Sequence, residues 1–380
     1  MKKIDWTKLA LIALRANRVP LVWGGPGIGK TKRIETEIHR QLCPDKPFVA
    51  VAPSLSDPTD ATGMLAVVQD RVVRLLPEAL KPLIDSRGGL LFIDELTTAT
   101  QATQAAYLKV TQDRWVGDTK LPDDVRIIIA ANPADIAAGG AELVVPMANR
   151  VVHINAEAPE PEGWAAWLTT ELTRDAQDRF VAAAFGSYIE KSGSGALYAF
   201  PEDEGERAKA WPSPRTWHAA AAVYAEALRS GEPAAGFTLV AGCVGVGAAK
   251  EVISYIENLD LPDADAVLTG TVKWTPEAAR ADKASVMLAL LCRRAFELAA
   301  DRDPARTKAQ RESIVQTAWE AVKAACEVGL ADIAYRHVGP LSNWRIQLSG
   351  EMLARFPAEQ EVEVKYGFAI RAAGRQTKAA

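Results

Sequence analysis

The chain has 380 residues, a formal net charge of −4, 48% hydrophobic residues and 24% charged residues. That length exceeds one ordinary domain and the composition is that of a soluble globular protein, so two or three domains are expected. The acidic balance argues against a chain-wide electrostatic grip on nucleic acid, and with no run of about eighteen apolar residues no membrane span is expected. Cys43, Cys243, Cys292 and Cys326 are scattered without C-x-x-C or metal-site spacing, and His39, His153, His218 and His337 lie far apart, so reduced thiols and no metal cluster are expected. The two N-terminal lysines run into Asp5 and mixed polarity, unlike a signal peptide. A cytoplasmic location is the expectation.

Residues 5–17 carry Leu9, Leu11, Ile12 and Leu14 at helical spacing. An apolar run, Val19 to Trp23, then reads as a buried strand, and Lys30 to Leu42 reads as a helix. Between them Gly24, Gly29, Lys30 and Thr31 fit G-x-x-x-x-G-K-[ST]. The segment Gly24, Gly25, Pro26, Gly27, Ile28, Gly29 can turn its backbone N–H groups toward phosphate oxygens, and the helix start that follows favours an anion. Lys30 is placed for the β- and γ-phosphates of a nucleotide, and the Thr31 hydroxyl for Mg²⁺. The strand–loop–helix setting makes an accidental glycine-rich turn the weaker reading.

Pro47 to Pro53 is a short second strand, and Met64–Val68 with Arg71–Leu75 reads as a small hairpin. Pro77 to Ser86 reads as a helix. Leu90-Leu91-Phe92-Ile93-Asp94-Glu95 is a buried strand ending in two carboxylates, at the strand end where α/β sheets bind ligands. Alone, such a pair reads as a solvated turn. Behind a P-loop, Asp94 reads as completing the Mg²⁺ shell and Glu95 as orienting and deprotonating an attacking water. Thr100 to Thr111 is a helix, Arg114 to Pro122 a second hairpin, and Val125 to Ala131 a fourth strand ending in Asn132-Pro133. The Asn132 amide can hydrogen-bond a γ-phosphate or that water. Val151 to Asn155 is a fifth strand. Strands alternating with helices imply an α/β fold with a parallel sheet.

Taken in order, Gly24–Thr31, Leu91–Glu95, Ile128–Pro133 and Ala148–Arg150 resemble the Walker A, Walker B, sensor 1 and arginine-finger segments of an AAA+ ATPase. Gly117-Asp118 with Leu121-Pro122, Ala130 to Pro133, and Ala148 to His153 are similar to the MoxR-type branch, which carries a hairpin insert like 64–75. The resemblance covers about residues 1–260. It implies that Asn132 is a sensor and that Arg150 stabilises transition-state charge in a neighbouring subunit's site, hence a ring, expected as a hexamer. It implies a P-loop AAA+ core with a helical lid and additional C-terminal helices, with ATP and Mg²⁺ as ligands.

Beyond residue 158, Trp164 and Trp167 lie in a helix beginning at Pro161, and Arg174 to Lys191 is a second helix. Two aromatics at that spacing read as core. Residues 192–212 read as a long loop, and Arg215 opens a helix running to Leu228. An arginine in a helix's first turn opposes the helix dipole; by the resemblance, Ser213-Pro214-Arg215 is sensor 2, which sets Arg215 on nucleotide phosphates. Ala241 to Leu259 reads as one helix, and Ala284–Ala300 and Lys308–Val328 as two more. Two shorter helices are expected over 330–355, and a disordered tail over 371–380. The expected organisation is a nucleotide-binding core at 1–157, a helical lid at 158–262 and a helical region of unassigned role at 263–380.

The function this implies is ATP hydrolysis by a ring that remodels a protein client, as MoxR-type relatives do, often with a von Willebrand factor A domain partner. The hairpins at 64–75 and 114–122 are the expected client-contacting elements. A DNA-acting motor is the alternative, which the acidic balance disfavours. A nucleotide-gated scaffold without turnover is a third reading, and the Asp94-Glu95 pair counts against it.

Overall fold

The structure, a computed structural model, describes residues 4–55, 57–133, 136, 142–300, 307–341 and 357–366. The chain divides into two compact units, Met1–Ala158 and Pro159–Ala380.

In the first unit, the Asp5 carboxylate caps helix α1 (Trp6–Arg15) by accepting the Thr7 N–H, satisfying a donor the helix start would leave open. Strand β1 (Pro20–Trp23) follows, then a helical segment α2 over residues 30–42. Instead of one regular helix, α2 is α-helical at Lys30–Arg33, π-helical at Ile34–His39 and α-helical again at Arg40–Leu42. The Thr36 hydroxyl donates to the Lys32 carbonyl at 2.8 Å, competing for the acceptor that an α-ladder would give to the Thr36 N–H. Arg33 fastens α2 to α1 by donating to Asp5 at 2.6 Å, with its guanidinium 5.0 Å from the centre of the Trp6 ring, and it is held within α2 by donating to Glu37 at 2.7 Å.

The remaining elements of this unit are β2 (Phe48–Val51), α3 (Pro58–Thr62), β3 (Met64–Val68), β4 (Arg71–Leu75), α4 (Lys81–Asp85), β5 (Gly89–Ile93), α5 (Gln101–Gln112), β6 (Trp115–Val116), β7 (Thr119–Lys120), β8 (Val125–Ala131), α6 (Val145–Ala148) and β9 (Val152–Asn155). Five of them form a parallel sheet in the order β2-β5-β8-β1-β9. Alternation along the strands gives the sheet two apolar faces. Leu21, Leu91, Ile93, Ile127 and Ile129 pack with Tyr107 and Val110 of α5. The other parity is equally buried: Val22, Leu90, Phe92, Ile128 and Ala130 are fully enclosed. A sheet covered on both faces is what near-continuous apolar strands predict. The architecture of this unit is the α/β fold with a parallel sheet expected from the sequence.

The two hairpins form where the sequence places them. In β3–β4 the turn residues Gln69 and Asp70 both have positive φ, at 51° and 58°, which matches the right-handed twist of a two-residue hairpin. Both of its faces carry exposed apolar side chains: Met64, Leu65, Val67, Val72 and Leu75. The Arg74 N–H donates to the Asp118 carboxylate at 2.8 Å, joining this hairpin to β6–β7.

The second unit is helical in its described residues. It comprises α7 (Pro161–Glu171), α8 (Ala176–Ser192), α9 (Pro214–Arg229), α10 (Pro233–Val244), α11 (Val246–Glu257), α12 (Ala281–Ala300), α13 (Lys308–Glu327) and α14 (Ala331–His337), with residues 357–366 also helical. Trp164 and Trp217 sit in one apolar core with Phe185 and Val252, while Met287, Leu291, Trp319 and Val322 belong to another. Helix α12 serves both, since Val286 and Leu290 face the first core. The Asp178 side chain is only 1% exposed and is answered by Arg229 at 2.7 Å and Arg174 at 3.0 Å, as a buried carboxylate requires. Burial pushes its pKa up, but these bonds outweigh that and hold it below the usual carboxylate range.

Two expectations change here. The helical stretch read over 241–259 is broken between α10 and α11 at Gly245, whose φ of 86° favours glycine and where a Cβ would lie a tight 3.0 Å from the Ala210 carbonyl. The stretch read as a loop at 192–212 contains the short helices Ser194–Leu197 and Glu204–Arg207, the latter capped by Asp203. The second helix expected within 330–355 and the tail at 371–380 lie outside the described residues. Among those described, no helix is long and apolar enough to cross a membrane.

Candidate functional site

Chain order and spatial order part company between β1 and β8: the chain leaves β1 for β2, adds β5 and β8 on the way back, and skips over β1 to place β9. Such a switch point opens a crevice at the carboxyl ends of the strands. The loop Gly24–Gly29 leaves β1 at that edge, and the Gly24 N–H donates to Ala131 at the end of β8 at 3.2 Å.

Gly24 and Gly29 are required for different reasons. A Cβ on Gly24 would lie 2.7 Å from Ile28 Cδ1 and 2.8 Å from the Ala156 carbonyl, whereas Gly29 has open space but a φ of 94°. Gly27 has a φ of 78°. Gly25, Pro26 and Ile28 complete the loop, with Ile28 buried. Gly29 then leads into α2, so the N–H groups at the start of α2 lie directly behind the loop.

Lys30 is 8% exposed. Its Nζ donates to the carbonyls of Gly24 at 2.6 Å and Gly25 at 3.0 Å and to Asn132 Oδ1 at 2.8 Å, bridging the crevice. Asn132 is equally buried and is held from behind by the Thr97 hydroxyl, which donates to its carbonyl at 3.2 Å. Thr31 Oγ1 donates to Asp94 Oδ2 at 2.9 Å, so a hydroxyl and a carboxylate from adjoining segments present oxygens to one point. Hard oxygen donors in this number suit Mg²⁺, which is usually held by one or two carboxylates together with phosphate oxygens and water.

Glu95 takes a left-handed backbone conformation, φ 54° and ψ 40°, that costs a non-glycine residue about 1–2 kcal/mol. Two bonds hold it there: its N–H donates to Asp94 Oδ1 at 3.0 Å and the Thr98 hydroxyl donates to its carbonyl at 2.6 Å. The strain turns the Glu95 side chain into the open, beside the half-buried Asp94.

Arg150 is not part of this cluster. It lies at the entrance to β9, the opposite end of a parallel strand, exposed and donating to the Pro146 carbonyl at 2.8 Å. Arg215 belongs to the second unit, exposed at the second position of α9, whose start is closed by a reciprocal Ser213–Thr216 capping box.

The pairings of three supporting residues are not readable from the sequence motifs. Trp23 Nε1 donates to His153 Nδ1 at 2.9 Å; since indole only donates, the imidazole proton sits on Nε2, which donates to the Ala148 carbonyl at 2.8 Å. This pair joins the strand before the loop to the turn before Arg150. Gln104, fully buried, accepts from the Val144 N–H at 3.1 Å and donates to the Ala99 carbonyl at 3.2 Å. A polar residue inside an apolar helical stripe was the only sign of it in the sequence.

No family model matches the sequence, and no curated protein matches it. Among solved structures, the chain is similar to a point mutant of Thermotoga maritima RuvB, with 12% identity and a TM-score of 0.37 over 72% of this chain and 78% of that one. It is also similar to NtrX from Brucella abortus, with 15% identity and a TM-score of 0.32 over 88% and 67%. Likeness at this level carries no functional argument, which rests on the site itself.

Proposed function

We propose that this chain is an AAA+ ATPase of MoxR type that assembles into a ring, expected as a hexamer, and remodels a protein client. The observation that carries the proposal is the convergence of Lys30 with Asn132 and of Thr31 with Asp94 at the one crevice where the sheet's strand order switches.

In this reading, phosphate oxygens compete with the Gly24 and Gly25 carbonyls for the Lys30 ammonium, while loop and α2 N–H groups take the remaining negative charge. When bound, Mg²⁺ supplies charge neutralisation between the phosphates, and Thr31 and Asp94 would hold it. Asn132, fixed by Lys30 and Thr97, offers a polar group to the γ-phosphate or the attacking water. Glu95, turned outward by its backbone, orients that water and takes its proton. Arg150, remote from its own crevice, is suited to complete a second copy's site, and that is the argument for a ring. Arg215 enters the proposal as a phosphate sensor carried by segment 158–262, read as a lid; segment 263–380 is proposed as an accessory helical region. The exposed apolar side chains of β3–β4 favour a protein client over a nucleic acid, whose phosphates call for a basic surface. A von Willebrand factor A domain partner and a cytoplasmic location belong to the same proposal.

The test is Glu95→Gln. Removing a positioned general base should reduce hydrolysis by about 10²–10⁴-fold while leaving ATP binding intact. Turnover at the wild-type rate contradicts the assignment, and loss of nucleotide binding by Lys30→Ala separates the binding claim from the catalytic one.

A further inference from the structure

At the amino-terminal edge of the sheet, opposite the crevice, lies an open cleft of about 550 Å³ whose lining includes Arg18, Arg114, Arg126 and Arg150, with Thr111 and Asn149 between them. Four guanidinium groups around one cleft stand out in a chain of net charge −4. Among the described residues none of the four forms an ion pair with a carboxylate. Arg150 and Arg126 each donate to a backbone carbonyl, of Pro146 and of Asp123, at 2.8 Å and 2.7 Å. Arg114 donates through Nη2 to the Pro122 and Val125 carbonyls at 2.6 Å and 2.7 Å, leaving its buried Nε with no partner. The Arg18 side chain is exposed and makes no hydrogen bond or ion pair with a described residue. Burial and the nearby Arg126 lower the Arg114 pKa, with Asp123 opposing them. Like charges lining one cleft repel, and an anion of matching geometry relieves them.

We propose that this cleft is an anion site for a polyphosphate, gripped by Arg18, Arg114, Arg126 and Arg150 and separate from the Lys30 crevice. The forked guanidinium suits phosphate oxygens, the spread of four such groups suits several linked phosphates better than one, and the buried Arg114 Nε supplies a donor that the protein does not satisfy. The phosphates come either from a nucleotide held by a second copy of this chain or from a free phosphorylated ligand; the chemistry is the same.

The probe is inorganic tripolyphosphate, titrated by calorimetry into full-length Lys30→Ala and, in parallel, into wild type saturated with ADP and Mg²⁺. Binding by both, weakened at least tenfold in Arg18→Gln/Arg126→Gln and progressively weaker with added salt, is the expected result. Arg18→Gln alone, which removes no bond within the fold, should show part of that loss. Binding unchanged by these substitutions, or no binding, overturns the proposal. Adding Glu95→Gln protein loaded with ATP identifies the source: displacement of tripolyphosphate assigns the site to a second copy's nucleotide, and its persistence to a free ligand. Because the Lys30→Ala arm needs no working crevice, this site and the proposed ATPase can fail independently.

Discussion

The two ends of the parallel sheet handle charge in opposite ways. At the carboxyl edge, Lys30 is surrounded by acceptors and Thr31 meets Asp94, so the side chains of Lys30, Thr31, Asp94 and Asn132 have partners within the fold. At the amino edge, Arg18, Arg114, Arg126 and Arg150 share a cleft with backbone carbonyls but no paired carboxylate. A self-satisfied network can hold its shape alone, whereas like charges lining one cleft repel one another and an anion relieves that repulsion. In the proposed reading one edge receives a nucleotide, and the other takes negative charge that the same copy does not provide.

Breaking the carboxyl edge should have the largest effect after loss of Glu95. Asn132→Ala removes the acceptor that fixes Lys30, and a hydrogen bond to a charged group contributes about 1.5–3 kcal/mol; hydrolysis measured at saturating ATP should fall by roughly ten- to a hundredfold. An unchanged rate would mean that Asn132 only fills space. The effects in the second unit should be on stability rather than turnover. Burial pushes His337 down to about 4 from 6.5, its ring bonded to Ser285 at 3.1 Å. The native ring is therefore neutral, and its contribution is complete above pH 6.5 and is lost as pH falls toward 4. Burial pushes Glu190 up to about 6 from 4.5 beside Arg336, which has the opposite sign: that contribution is present below pH 4.5 and is lost as pH rises through 6. His337→Gln should flatten the acid limb of the stability curve by up to roughly 3 kcal/mol, and Glu190→Gln should remove a counter-slope of roughly 2 kcal/mol. Denaturant melts across pH 4–7 check both, and equal slopes in all three proteins would contradict the burial argument.

Much of the carboxyl edge was legible because its chemistry is local: Gly24 to Thr31 and Asp94-Glu95 each sit on a few consecutive residues with apolar strands before them. The sheet was legible for the same reason, its strands being short runs of Leu, Ile, Val and Ala. What the sequence could not convey is anything set by approach between distant segments. Gly24 is needed because Ala156 packs against it, not because of its own torsions. The π stretch in α2 coincides with a Thr36 side-chain bond to the Lys32 carbonyl, and at Gly245 a Cβ would crowd a carbonyl thirty-five residues upstream, at Ala210. The bonds of His153 and Gln104 could not be read because their partners, Trp23 and Val144, are far away in the chain. The arginine cleft assembles single residues from four segments, each of which reads alone as an ordinary surface charge.

The central claim is that one copy completes another's catalytic site. The direct measurement is complementation: hydrolysis by Lys30→Ala and by Arg150→Ala, each alone and mixed, across a range of protein concentration. The proposal predicts that each alone is reduced by about 10³-fold, and that the mixture regains a substantial fraction of activity that rises with concentration, because Lys30→Ala copies lend Arg150 to intact crevices. A mixture no more active than its parts, or Arg150→Ala hydrolysing ATP at the wild-type rate, would contradict it.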